Sequence, residues 1–183
     1  MARLILLNGA PGTGKSTLAQ LYLDSHPLAL ALDIDTVRAM LGRWIDRPVE
    51  SGLAARAMAI EMARAHLFAG HDVIVAQYLG RVEFVDQLDR LSRAVCVPFI
   101  EIALLADAAN AVARFSRRSQ VAETSSHRNA AALQQLDGGF SAVADAIARV
   151  EQVIAQRPNT RLIHSVDGEI DLTYQRLLAQ LDR

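Results

Sequence analysis

Gly9-Ala10-Pro11-Gly12-Thr13-Gly14-Lys15-Ser16 satisfies G-x-x-x-x-G-K-[ST] at every position, and its reading decides the fold. Gly12 and Gly14 allow the backbone to turn its N–H groups inward, where they can surround phosphate oxygens. A helix starting at Lys15 would add the partial positive charge of its N-terminus. Lys15 can reach β- and γ-phosphates, the Ser16 hydroxyl can take one Mg²⁺ position, and Thr17 supports the turn. The expected nucleotide contacts are therefore Gly9, Ala10, Pro11, Gly12, Thr13, Gly14, Lys15, Ser16 and Thr17, with ATP and Mg²⁺ as the default ligands; the loop alone does not separate ATP from GTP. Lys15 is the only lysine among 19 Lys and Arg residues, so a chain that otherwise uses arginine keeps a compact point charge in this loop.

Working outward, Arg3 to Leu7 reads as the buried strand that the motif requires before it, and Lys15 to Leu23 as the helix after it. Further strands are expected at Leu28–Leu32, Asp72–Ala76, Phe99–Leu105 and Leu162–Val166. Helices are expected at Thr36–Leu41, from a Ser51 cap to Ala69, and at Val82–Ala94, Ala108–Arg118, Ala130–Leu136, Phe140–Gln156 and Ile170–Leu181. The stretch from Gly42 to Gly52, with Pro48, reads as a loop. Strands alternating with helices predict an α/β fold whose parallel sheet is covered on both faces, with ligands at the strand C-terminal ends.

The 183 residues suit a single domain, 1–183. Hydrophobic residues make up 51% and charged residues 21%, the balance of a folded chain. A net charge of −1 gives no global attraction to nucleic acid or an anionic membrane, though a local arginine groove could still hold a short strand. The apolar N-terminus is needed as a strand and does not read as a signal peptide, and no run approaches a membrane span, so a cytoplasmic location is expected. The lone cysteine, Cys96, lies between Val95 and Val97 and reads as a buried structural thiol. Oligomeric state leaves no mark.

After the second strand comes Leu32-Asp33-Ile34-Asp35-Thr36-Val37-Arg38. In extended chain Asp33 and Asp35 point the same way, and Arg38 lies one helical turn past Asp35. Phosphoryl transfer depends on positioning and charge neutralisation, and a carboxylate can orient an acceptor hydroxyl and take its proton. Asp35 is the candidate base, Asp33 a holder of Mg²⁺-bound water, and Arg38 an anchor for the acceptor or for Asp35. The plainer alternative makes Asp35 a helix N-cap with Asp33 in the turn. Farther on, Ala113-Arg114-Phe115-Ser116-Arg117-Arg118-Ser119 ends a helix with arginines. They can be ordinary C-terminal charge or part of a mobile lid at about 117–129 that closes on the triphosphate, with Arg114 and Arg118 favoured over Arg117 and Arg128.

Through GAPGTGKST, DIDTVR and ARFSRRS the chain resembles the small P-loop kinases of the nucleoside-monophosphate-kinase-like fold. Chloramphenicol phosphotransferase, gluconate and shikimate kinases and the 5′-kinase domain of bacteriophage polynucleotide kinase belong to this group. The resemblance implies a three-layer P-loop NTPase with a five-stranded parallel sheet in the order 2-3-1-4-5, and a base that matches Asp35. It also implies a nearby arginine matching Arg38 and lid arginines matching Arg114 and Arg118. Many relatives carry an Asp at the end of strand three, where this chain has Ala76 and Gln77. Gln77 and Tyr78 thereby become candidate acceptor contacts.

Trp44, between Arg43 and Arg47, could wall an acceptor pocket or pack a helix junction. Arg43, Arg47 and Arg56 are candidates for an anionic group. His66 and His71 lack metal-ligand spacing and read as solvated helix-end residues, and Val166-Asp167-Gly168 is a turn that could approach adenine. The expected activity is ATP-dependent phosphorylation of a hydroxyl on a small molecule, a metabolite or antibiotic. The alternatives are a polynucleotide 5′-hydroxyl kinase and a regulatory ATP-binding module.

Overall fold

In a computed structural model the described residues are 1–107, 110–114 and 141–182. Five parallel strands run β1 (Leu4–Asn8), β2 (Leu30–Leu32), β3 (Val73–Gln77), β4 (Phe99–Leu105) and β5 (Arg161–His164). Their spatial order is β2-β3-β1-β4-β5, the order the resemblance implies. The helices are α1 (Lys15–Ser25), α2 (Ile34–Ala39), α3 (Pro48–Phe68), α4 (Val82–Ala94), α5 (Ser141–Gln156) and α6 (Ile170–Leu181), with a 3₁₀ turn at Trp44–Asp46.

The central strands are apolar on both faces because both are covered. Leu4, Leu6, Val73 and Val75 face α3 and α4, where they meet Ala55, Ala59, Ala63, Phe84, Val85 and Leu88. Their neighbours Ile5, Leu7, Ile74, Ile102 and Leu104 point the other way, onto Leu18, Tyr22, Leu177 and Leu181 of α1 and α6. The period of two thus sorts an unbroken apolar run into two cores.

Several sequence expectations are corrected. Pro48 does not sit in a loop: it opens α3 from the first turn, where its missing N–H costs nothing. Ser51 therefore caps nothing; it is buried, and its hydroxyl lies 3.0 Å from the Trp44 carbonyl. The N-cap of α2 is Asp33, one residue before the helix, and not Asp35. Cys96 is exposed. It occupies a left-handed turn after α4 (φ 57°) that tucks Val95 and Val97 against the core and swings the residue between them outward. The expected helix at 130–136, most of the expected 108–118 helix and the lid at about 117–129, with Arg117, Arg118 and Arg128, lie outside the described residues.

At the N-terminal edge of the sheet, Asp72 ties β1 to α1. It accepts from the Arg3 backbone N–H at 2.8 Å, from the Arg3 guanidinium at 3.0 Å and from the Tyr22 hydroxyl. Burial alone would raise the Asp72 pKa, but the hydrogen bonds from Tyr22 and Arg3 outweigh it and hold this carboxyl below the ordinary aspartate value.

Candidate active site

The phosphate loop leaves β1 at Asn8, a polar side chain only 2% exposed. Its Oδ1 accepts from the backbone N–H of Gly9 at 2.8 Å and of Leu79 at 2.9 Å, and its amide donates to the Leu79 carbonyl at 3.1 Å. One carboxamide thus pins the loop to the segment after β3. Gly9 has no alternative residue: a Cβ there would stand 2.5 Å from the Leu104 carbonyl oxygen and 2.9 Å from Thr13 Oγ1. Gly12 and Gly14 hold φ of 82° and 98°, the left-handed turns that aim N–H groups inward. Thr13 is buried and donates to the Ala10 carbonyl at 2.9 Å. The Lys15 ammonium lies in the loop, donating to the same carbonyl at 2.9 Å. Ser16 and Thr17 are exposed on the first turn of α1.

One sheet position away, Gln77 of β3 pairs in register with Asn8. Its Nε2 donates to Asp35 Oδ2 at 3.1 Å. Asp35 is held on α2 by Asp33, whose Oδ1 accepts the Asp35 N–H at 2.8 Å. Burial pushes the Asp35 pKa above the ordinary aspartate value, and the Asp33 charge adds to this. Gln77, Arg38 and Arg56 pull the other way without cancelling it. Asp35, Arg38, Arg56, Gln77 and Tyr78 line a small, partly open cleft together with Ile34, Gly52 and Leu79.

Arg38 belongs to this cleft, as expected, but its guanidinium is tied down. Nε donates to Ser51 Oγ at 2.9 Å, Nη2 donates to the Pro48 carbonyl, and the group lies 5.2 Å from the Trp44 ring centroid. Trp44 therefore packs the α2–α3 junction and is not part of the cleft lining. Arg43 pairs with Asp46 at 2.7 Å on the surface, outside the cleft. Arg114 lies 3.6 Å from Asp167, so these two residues, singled out separately, meet each other. The His66 Nε2–H donates to the Leu28 carbonyl at 2.6 Å, with the His71 ring 5.2 Å away. Sequence reasoning missed Asn8 as a clamp; the signal was a polar residue closing an apolar strand.

No group of three or more His, Cys, Asp or Glu side chains is arranged for a metal among the described residues. Both oxygens of Asp33, the expected holder of Mg²⁺-bound water, already accept from α2, Oδ1 from the Asp35 N–H and Oδ2 from Thr36 Oγ1 at 3.1 Å. The exposed Ser16 hydroxyl suits a Mg²⁺ that takes its other ligands from phosphate and water. Gln77 Oε1 is buried with no hydrogen-bond partner among the described residues.

Strand order, glycine loop and the neighbouring cleft that holds Asp35 together define a P-loop kinase fold. A family profile for the AAA domain matches residues 4–143. The chain belongs to that family. Among solved structures, a gluconokinase of Sinorhizobium meliloti 1021 is 14% identical with a TM-score of 0.62, over 98% of this chain and 91% of that one. The APS kinase of Mycobacterium tuberculosis, in complex with AMPPNP and APS, is 20% identical with a TM-score of 0.60, over 100% and 98%. A tunicamycin resistance protein of Deinococcus radiodurans is 11% identical with a TM-score of 0.62, over 99% and 96%. These likenesses are of fold. No curated protein matches the chain. Among the described residues, no helix is long and apolar enough to cross a membrane.

Proposed function

We propose that the chain is an ATP-dependent phosphotransferase that moves the γ-phosphoryl group to a hydroxyl of a small molecule, with Asp35 as the base. One observation carries this reading: a single carboxylate with a raised pKa is aimed by Gln77 into a cleft at the strand end next to the phosphate loop. A carboxylate so placed is tuned toward taking a proton, while a merely structural aspartate would be paired and lowered, as Asp72 is.

The loop N–H groups and the α1 N-terminus bind the β- and γ-phosphates. Lys15 exchanges its contact with the Ala10 carbonyl for phosphate oxygen. Mg²⁺, when bound beside Ser16, neutralises phosphate charge. Asp35 accepts the proton of the acceptor hydroxyl as its oxygen forms a bond to the γ-phosphorus and the bond from that phosphorus to the β-bridging oxygen breaks. The products are ADP and a phosphate ester. Arg114 and Arg118 are assigned to the nucleotide side, with Arg118 steadying the transferred group.

The test is a panel of hydroxylated metabolites and antibiotics with γ-labelled ATP. Label should pass to an acceptor in the native protein and not in Asp35→Asn, which should still bind ATP. Equal transfer by Asp35→Asn would remove Asp35 as the base.

A further inference from the structure

The cleft holds two guanidiniums, and they are in different situations. Arg38 is committed to Ser51, to the Pro48 carbonyl and to the face of Trp44. Arg56, on α3, makes no hydrogen bond and no ion pair among the described residues. It is exposed, yet it is drawn to the cleft: a Cβ on Gly52 would lie 3.6 Å from Arg56 Nη1 and 3.6 Å from Arg38 Nη2. Gly52, one turn before Arg56, leaves the gap between the two cations empty of side chain. Among the described residues the carboxylate lining this cleft is Asp35, with Asp33 close behind it, and the cleft also holds the two guanidiniums of Arg38 and Arg56. Asp35 is held by Gln77, and Arg38 and Arg56 both lie near enough to pull its pKa down, so the two guanidiniums sit beside the proposed base.

From this we infer that Arg56 is an anion subsite, and that the acceptor carries a carboxylate or phosphate group a few bonds from the hydroxyl that is phosphorylated. The inference rests on the proposed kinase activity for the word acceptor, but the anion subsite stands on the cleft alone. An anionic group seated over Gly52 would receive the two-pronged donation that a guanidinium offers best. It would also balance the cleft's charge and turn the attached hydroxyl toward Asp35. A neutral polyol would leave Arg56 unpaired and gain nothing from it.

Two measurements test this separately. In the first, protein saturated with AMPPNP, so that the phosphate loop is filled, is titrated with sodium sulfate at constant ionic strength while the fluorescence of Trp44 is followed; it is the only tryptophan, and its ring lies under Arg38, which lines the cleft. A saturable change in the native protein, weakened in Arg56→Lys and lost in Arg56→Gln, is expected. Absence of saturation, or an unchanged response in Arg56→Gln, overturns the subsite.

In the second, transfer is compared within matched pairs: gluconate against sorbitol, glycerate against glycerol, and a nucleoside 3′-monophosphate against its nucleoside. The anionic member should be favoured at least 10-fold in kcat/KM, and Arg56→Gln should erase that margin mainly through KM. A preference among the acids assigns a carboxylate, and one confined to the nucleotide pair assigns a phosphate. Equal or better use of the neutral members overturns the acceptor class. Sulfate binding at Arg56 with no transfer to any compound would sink the kinase reading and leave the anion subsite standing.

Discussion

Two acidic clusters sit at opposite ends of the same sheet, and they are built from similar residues to opposite effect. At the N-terminal edge Asp72 takes hydrogen bonds from Arg3 and Tyr22, and its pKa is lowered. At the C-terminal edge Asp35 is half-buried beside another acid and, among the described residues, receives one side-chain hydrogen bond, from an uncharged amide, and its pKa is raised. The first carboxylate is satisfied and contributes stability. The second is left with unmet demand, which a substrate can meet.

The comparison can be broken most sharply by exchange of each acid for its amide. Asp35→Asn should lower phosphate transfer by about 1,000-fold, roughly 4 kcal/mol of transition-state stabilisation, with ATP affinity within twofold of native by calorimetry. Asp72→Asn should do the reverse, costing about 2 kcal/mol in urea unfolding with kcat nearly unchanged. A large loss of activity in Asp72→Asn with normal stability would erase the distinction between the two ends.

The pH dependence should also have opposite signs. Asp72 is lowered in the folded state, so its stabilisation is present above the ordinary aspartate pKa and is lost as pH falls through the lower folded value. Asp35 is raised, so its contribution to stability is full below the ordinary value and is lost as pH rises through the folded one. Activity needs ionised Asp35, and the acid limb of kcat should therefore lie above the ordinary aspartate value. Gln77→Met removes a hydrogen bond that pulls the Asp35 pKa down, so that limb should move further up and kcat should fall on the acid side of the profile while changing little on the plateau. A limb that stays in place would separate Gln77 from the base.

The smallest expected effect is at Cys96. Its side chain is exposed and far in sequence from either acid, so a thiol-specific reagent should modify the folded protein completely while activity changes less than twofold.

Most of the architecture was legible because it follows from local pattern. Apolar runs of strand length, the glycine loop and the helix-period segments carry their own signals, and α4, β4 and α6 fall on the expected residues. The misreadings share a cause. Pro48 and Ser51 were judged by what they do in isolation, yet α3 begins early because proline is well suited to a first turn. Cys96 was judged by its apolar neighbours, but a left-handed turn reverses the direction of the residue between them. In the site, the motif residues and Asp35 could be read, since spacing along the chain sets them. Asn8 and Gln77 act through partners 71 and 42 residues away in the chain, at Leu79 and Asp35, and Arg56 reaches the same cleft from α3. Such pairings are decided by sheet order and helix placement.

The Asn8 clamp has a mechanical consequence. Because one amide grips both the start of the donor loop and the strip that ends at Leu79, these two walls share a single frame of reference. In the proposed transfer these two walls would keep a fixed spacing as the ligands arrive.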